Sequence, residues 1–396
     1  MKTLQLNESL YWIGIQDHDL RVFDIIMETK FGTSYNSYLL KTDEGVILFE
    51  TAKETFFDEY LEKINELTSV DQIKYIVCNH TEPDHSGSIS KLLELNPNIE
   101  IISTTIAKNN IQEIINHDFL SKTIKDGETL QFGDKTLQFF YVPNLHWPDT
   151  MYTYIQEDQV LLTCDSFGAH YAHDQILAST IIHHEDYQEA FDYYTKMILG
   201  PFKPFILKAM KKIENLNLKL ICPGHGPVID QDFDKYINYY LEYGKNQPKE
   251  HLKVVIPFVS AYGYTKMIAK TIEAVLKEND VICHVYDLET ANMTTVIDDM
   301  ISADGILYGS PTLLNDALPP IYQVMNAILQ PYHGTKVVSA FGSYGWSGEA
   351  VPNLITRLKQ QRMKVTDEGF KVKFKPSPSE IEAIKTYTLN YISYLK

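Results

Sequence analysis

Basic side chains are in short supply: 35 lysines and arginines stand against 52 aspartates and glutamates, a formal charge of −17 over 396 residues. Such a surface repels a phosphate backbone, which excludes general nucleic-acid binding and leaves small molecules or proteins as partners. Cysteine is scarce too. Cys78, Cys164, Cys222 and Cys283 lie apart in apolar runs and form no C-x-x-C pair, so a rubredoxin-type iron site and a redox dithiol are excluded and buried, reduced thiols are expected. Long apolar runs are missing. The first thirty residues, "MKTLQLNESLYWIGIQDHDLRVFDIIMETK", carry charges throughout, and no later stretch approaches a membrane span, which points to a cytoplasmic protein. Internal repeats and low-complexity tracts are absent as well.

What is present suffices for two cores, since the chain is long for a single domain and 44% of its residues are apolar. Its character changes near "GKNQPKEH", residues 244 to 251, where polarity and a proline interrupt the patterning. We place the domain boundary there, giving 1–248 and 249–396. In the first segment short apolar runs such as "GVILFE", "IKYIVCN", "LQFFYVP", "QVLLTC" and "LKLICP" read as strands, with helical patterns around 54–67 and 106–116. The second segment alternates more regularly, from "LKVVIPFVS" through an amphipathic helix at 265–278 to "VICHVYDL", "GILYGSP" and "KVVSAFGSYG". That alternation predicts an α/β domain with a doubly wound parallel sheet.

Ionisable residues gather where the strands of the first segment end. "IKYIVCN" is followed at once by "HTEPDH", with His80, Glu82, Asp84 and His85; "FFYVPNLH" ends at His146, "QVLLTCD" at Asp165 and "LKLICPGH" at His225. Imidazoles and carboxylates suit iron, manganese or zinc, and seven of them exceed the needs of one tetrahedral ion. Two metals with a bridging carboxylate fit better. Asp165, alone on its strand end, is the natural bridge.

"HTEPDHSGS", "LHWPDTM", "LLTCDSFGAH" and "CPGHGP" occur in this order and resemble the motifs of the flavodiiron proteins, or A-type flavoproteins. The resemblance runs along essentially the whole chain. It implies an N-terminal metallo-β-lactamase-like αββα sandwich carrying two non-haem irons, followed by a flavodoxin-like domain. By the same resemblance His80, Glu82 and His146 bind one iron, Asp84, His85 and His225 bind the other, and Asp165 bridges them. Hydrolases of this fold usually carry histidine where this chain has Glu82, and a carboxylate there helps stabilise the ferric state. A dinuclear zinc hydrolase is the main alternative.

In the second segment "SAYGYT", residues 260 to 265, joins a strand to a helix. Ser260, Tyr262 and Thr265 offer hydroxyls and, with Ala261 and Tyr264, backbone N–H groups to a phosphate at the helix N-terminus, and Gly263 lets the turn close. Two more strand ends, "YGSPTLLND" and "FGSYGWSGE", supply Ser310, Pro311, Thr312, Leu313 and Asn315, then Ser343, Tyr344, Gly345 and Trp346, as neighbours of a flavin ring. Resemblance to the flavodoxin-like domain makes that ligand FMN. The dinucleotide fingerprint G-x-G-x-x-G is missing here, which argues against tightly bound NAD.

His170, in "DSFGAH", reads either as a hydrogen-bonding neighbour of the metals or as a loop cap, and Trp147 as a wall of their pocket. His183 and His184 receive no role. Lys203, Lys208, Lys211 and Lys212 form a basic patch, either an ordinary solvated helix face or a landing place for an acidic electron carrier. FMN holds two electrons and a diferrous pair two more, enough to take dioxygen to two waters; two electrons couple two nitric oxides into nitrous oxide. The resemblance therefore implies an oxygen or nitric oxide reductase, or one enzyme doing both. A non-turnover sensor and a flavodoxin-like electron carrier are the competing readings. A separate rubredoxin is the expected electron donor, with reduced deazaflavin coenzyme as the alternative, and the expected assembly is a head-to-tail homodimer or a dimer of dimers.

Overall fold

The structure, a computed structural model, describes residues 3–245, 251–328 and 330–396. The chain separates into two compact units, Met1–Asn246 and Gln247–Lys396. The joint expected near residue 248 falls in 246–250, outside the described residues.

Every strand named from the apolar runs of the first unit is present. A seven-stranded sheet runs in the order Leu4–Gln5, Leu10–Trp12, Tyr38–Thr42, Gly45–Phe49, Ile73–Val77, Glu100–Ser103, Leu120–Thr123. It is antiparallel at its first three pairings and parallel thereafter. A second sheet orders Thr129–Phe132, Lys135–Tyr141, Met151–Ile155, Val160–Cys164 and Leu220–Pro223. Alternate residues of both sheets, among them Leu40, Ile47, Phe49, Val77, Leu137, Phe139, Met151 and Leu162, meet in one buried cluster, so the sheets are stacked face to face. Phe57–Leu67 and Thr105–Ile115, which link strands of the first sheet, and Lys203–Ile213, which precedes the last strand of the second, bury one apolar stripe each, as an αββα sandwich requires.

In the second unit the sheet order is Ile282–Asp287, Lys253–Phe258, Gly305–Gly309, Val337–Tyr344, Lys364–Val365, with Phe370–Lys373 pairing with Val337–Tyr344 as well. All these pairings are parallel. The first strand in sequence thus lies between the second and the third, which opens a crevice at the carboxyl ends of Lys253–Phe258 and Gly305–Gly309. The helix Tyr264–Glu278 follows the first of these strands and turns Ile268, Ala269, Ile272, Val275 and Leu276 inward, a spacing that gives one continuous apolar face. Gly342 lets the neighbouring loop approach: a Cβ there would stand 2.0 Å from the Ser310 carbonyl oxygen. This closeness allows Ser310 N–H to donate to the Phe341 carbonyl at 3.0 Å.

Candidate metal centre and flavin cavity

All seven residues expected as ligands converge at one end of the stacked sheets. Asp165 stands in the middle, immediately after the strand Val160–Cys164. Its Oδ1 lies 3.1 Å from His85 Nε2 and 3.6 Å from His225 Nε2, while its Oδ2 lies 3.3 Å from His146 Nε2 and 3.4 Å from His80 Nε2. Each oxygen thus addresses a different pair of imidazoles. On one side Glu82 Oε2 is 2.9 Å from His146 Nε2 and 3.2 Å from His80 Nε2. On the other, Asp84 Oδ2 is 3.1 Å from His225 Nε2 and 3.5 Å from His85 Nε2. His80, Glu82, His146 and Asp165 form one group with metal-ligand spacing, and Asp84, His85 and His225 form another.

Local backbone structure explains the convergence. Glu82 precedes a single helical turn, Pro83–Ser86, whose tight winding brings Asp84 and His85 back toward His80. Thr51 holds that turn by donating its N–H and its hydroxyl to the His85 carbonyl at 2.6 and 2.8 Å. Glu50, just before it, accepts from Asn79 N–H at 2.9 Å and so fixes the segment leading to His80. At Gly224 a Cβ would stand 2.6 Å from His85 Cε1, so only glycine lets the His225 loop pass that close to the ring.

The electrostatics call for cations. Burial alone would keep His80, His85 and His146 neutral, yet the surrounding carboxylates outweigh it and push all three imidazoles up to about 10. Burial alone would likewise raise Asp165, but His85, His146 and His80 hold it well below the usual carboxylate range. Three carboxylates and four imidazoles would neutralise most of the charge of two divalent ions, and buried Asp84 Oδ1 and Oδ2 and Asp165 Oδ2 have no hydrogen-bond partner. The residues fit a dinuclear centre.

This arrangement predicts the pH response of metal uptake. Without metal the three imidazoles are cations at neutral pH, so each incoming divalent ion must displace protons. Affinity is expected to rise with pH toward about 10, and mixing metal with the metal-free protein at pH 7 should acidify a weak indicator buffer. In the metal-free fold the same groups add stability that is complete below about 6.5 and is lost as pH rises through about 10. Uptake with neither proton release nor pH dependence would contradict this account.

Around the seven lie further residues, some of them without a mark in the sequence. His170 is buried, hydrogen-bonds through Nδ1 with Thr33 Oγ1 at 2.9 Å, and packs its ring 5.2 Å from that of His225. Burial first, then His225, keep it neutral, well below the ordinary histidine value. Trp147 sets its ring edge-on to that of His80 at 5.0 Å. Tyr194, not singled out from the sequence, donates its hydroxyl to Asp165 Oδ1 at 3.1 Å. Asp149, also missed, is fully buried behind His80, with Oδ1 3.4 Å from His80 Nδ1. The carboxyl of Asp24, on the turn between Val22–Phe23 and Met27–Glu28, is pushed up to about 6 by partial burial and by Glu82 and Asp84. In the basic patch, Lys212 is paired with Asp126 at 2.7 Å and Lys203 lies over the Tyr243 ring, so only part of its charge faces solvent.

In the second unit a cavity of about 300 Å³ opens at the crevice between strands. Ala261, Tyr262, Tyr264, Pro311, Thr312, Leu313, Asn315, Ser343, Tyr344, Gly345 and Trp346 line it as expected, joined by Leu314, Ser347 and Phe374, which the sequence reading passed over. Ser260, Gly263, Thr265 and Ser310 are outside its lining. Ser310 turns inward, its hydroxyl accepting from Leu318 N–H at 3.0 Å and donating to the Pro311 carbonyl, so it holds the loop. Ser260 accepts from Lys266 N–H at 3.1 Å, and Thr265 Oγ1 meets Ser343 Oγ at 2.9 Å, both at the start of Tyr264–Glu278. The start of that helix, beside the cavity, carries the partial positive charge that favours an anion. Trp346 and Leu314 are almost wholly exposed, at 95% and 99%. Two large apolar side chains left in water at the mouth of one cavity fit a planar ligand that covers them.

Comparison with known proteins agrees with both halves. Residues 33–226 match the family described as "ODP family beta lactamase", and residues 256–386 match "Flavodoxin". The chain is 35% identical over 388 residues to flavo-diiron protein FprA2 of Clostridium acetobutylicum, covering 96% of this chain and 97% of that one. It is 32% identical over 387 residues to the nitric oxide reductase of Moorella thermoacetica, covering 95% of each. Among solved structures it resembles rubredoxin oxygen:oxidoreductase from Desulfovibrio gigas with a TM-score of 0.74 and 26% identity, over 100% of this chain and 98% of the other. The flavodiiron protein from Giardia intestinalis gives 0.70 and 28% over the same shares.

Proposed function

The chain belongs to the flavodiiron protein family, and we propose that it reduces dioxygen to water, nitric oxide to nitrous oxide, or both, at its diiron site with electrons from FMN. Membership brings FMN and a non-haem diiron centre as cofactors. The observation that carries the reading is the divided carboxylate of Asp165, with one oxygen turned to each pair of imidazoles. In the proposed assignment His80, Glu82 and His146 hold one iron, Asp84, His85 and His225 the other, and Asp165 both, with 1–248 as the diiron domain and 249–396 as the FMN domain. When bound, the two cofactors supply the four electrons that dioxygen requires or the two that a pair of nitric oxides requires.

The protein's own residues then have separable tasks. Tyr194 and Thr33 orient Asp165 and His170 by hydrogen bonds, and Trp147 shields His80 from water. The anion site at the start of Tyr264–Glu278 holds the FMN phosphate, while the loops carrying Thr312 to Asn315 and Tyr344 to Trp346 flank the ring. Among the described residues no helix is long and apolar enough to cross a membrane. As electron donor a rubredoxin is the first to try, since one structural neighbour is named for that carrier, with reduced deazaflavin coenzyme as the alternative. In the working assembly the FMN of one copy serves the irons of another, as a head-to-tail homodimer.

Anaerobic purification is expected to yield about two irons and one FMN per chain, with zinc minor. Donor-driven consumption of dioxygen or nitric oxide then separates a reductase from a sensor or carrier. Two zincs together with esterase or lactamase activity would instead establish the hydrolase reading.

A further inference from the structure

The two halves of the metal centre look balanced at the level of their ligands. Each has two imidazoles, one carboxylate of its own, Glu82 or Asp84, and one oxygen of Asp165. What stands behind the imidazoles differs. His225 Nδ1 lies 2.6 Å from the Ser34 carbonyl oxygen, a neutral acceptor. His85 Nδ1 is buried and has no hydrogen-bond partner. His80 Nδ1 instead faces Asp149 Oδ1 at 3.4 Å, and each of these two buried atoms is otherwise without a partner. They are therefore each other's complement. Asp149 is aimed by its second oxygen, Oδ2, which accepts from Thr81 N–H at 2.8 Å and from Thr81 Oγ1 at 2.7 Å. Asn110 Nδ2 in turn donates to Thr81 Oγ1 at 2.9 Å.

A carboxylate behind a metal-binding imidazole has two effects. It keeps the proton on Nδ1, leaving Nε2 free as a ligand, and it makes that ligand a stronger donor than a carbonyl partner would. With Asp149 fully buried, its charge acts through a medium of low polarity. Exposure acts in the same direction on the order of filling: His80 is buried, but its partners Glu82 and His146 are each 17% exposed, while Asp84, His85 and His225 are all 6% or less, so an ion from solvent meets the first group first.

We infer that the two metal positions are unequal and that Asp149 is the positioning residue responsible: the half formed by His80, Glu82 and His146 fills first and binds more tightly. This rests on the dinuclear reading given above.

The test uses full-length protein freed of metal but retaining FMN, titrated anaerobically with cobalt(II) and followed by its absorption bands. Wild type should take up two ions in two resolved steps. Anomalous scattering from crystals given one equivalent should place cobalt beside Glu82 and His146. Asp149→Asn keeps the shape and an oxygen for Thr81, but it removes the charge and presents an amide to His80. The first step should weaken by about 10- to 100-fold, the second step should hardly move, and the single cobalt should redistribute toward Asp84 and His225. Thr81→Val, which loosens Asp149 without removing its charge, should keep the two-step uptake. Equal weakening of both steps in Asp149→Asn, or the same loss in Thr81→Val, would overturn the inference by showing a merely structural role. Wild type that binds fewer than two ions would remove the dinuclear reading itself, and the inference with it.

Discussion

Asp165→Ala is expected to strip the first unit of metal, taking iron from about two per chain to near none, and to lower turnover by well over the ~100-fold that loss of a supporting residue alone brings. The side chain is the one group that both halves share. Without it four imidazoles would surround an empty centre, each iron would lack a ligand, and Glu82 and Asp84 would be left to balance two divalent ions between them. The loss should be local. FMN content and the fold of the second unit should be unchanged, because among the described residues none of that unit belongs to the metal groups. Asp165→Asn, which keeps a neutral oxygen toward one side only, should retain part of the metal and little of the activity. An Asp165→Ala protein that still holds two irons by plasma emission analysis would remove Asp165 from the bridge.

The seven residues that converge were legible because strand ends are legible. An apolar run of five or so residues that stops at His, Glu or Asp places that side chain at the rim of a sheet, and four such runs gave one centre. Asp149 and Tyr194 carry no such mark. Asp149 lies in "WPDT", which reads as an ordinary turn, and becomes a partner of His80 only across 69 positions of sequence. Tyr194 is one of 26 tyrosines, on a helix whose pattern explains it as packing. Ser34 contributes a backbone carbonyl, for which sequence holds no signal at all. One missed signal was available: "SPSE", residues 377 to 380, is a capping box, and Ser377 and Glu380 do start the helix Pro378–Leu395.

The loops that line the cavity were readable in position and less so in direction. Small polar residues after a parallel strand mark the crevice, but which of them face a ligand depends on the turn. Ser310 and Thr312 sit two apart on one loop, yet Ser310 points into the fold and Thr312 lines the cavity. Phe374 joins the lining from the far end of the unit, beyond the strand Phe370–Lys373, because parallel pairing with Val337–Tyr344 carries it there.

Thr265→Glu should empty the flavin site while sparing the irons. Thr265 is buried in the first turn of the fifteen-residue helix Tyr264–Glu278, its hydroxyl 2.9 Å from Ser343 Oγ. Helix N–H groups there favour a phosphate by their partial positive charge, and a carboxylate in the same turn would take that place and repel the ligand. FMN per chain should fall from about one to near none, with donor-driven turnover lost and iron content kept; Thr265→Ser should bind FMN normally. Loss of iron as well would mean that the substitution had unfolded the chain. The variant also tests the assembly. Thr265→Glu chains keep their irons and Asp165→Ala chains keep their FMN, so neither homodimer should turn over. Purified with separate tags as a verified mixed dimer, the two should regain one working pair if the flavin of one copy serves the irons of the other. Transfer confined to a single chain gives no recovery, because neither chain then carries both cofactors. A mixed dimer with iron in one copy and FMN in the other that stays inactive would rule out the trans arrangement.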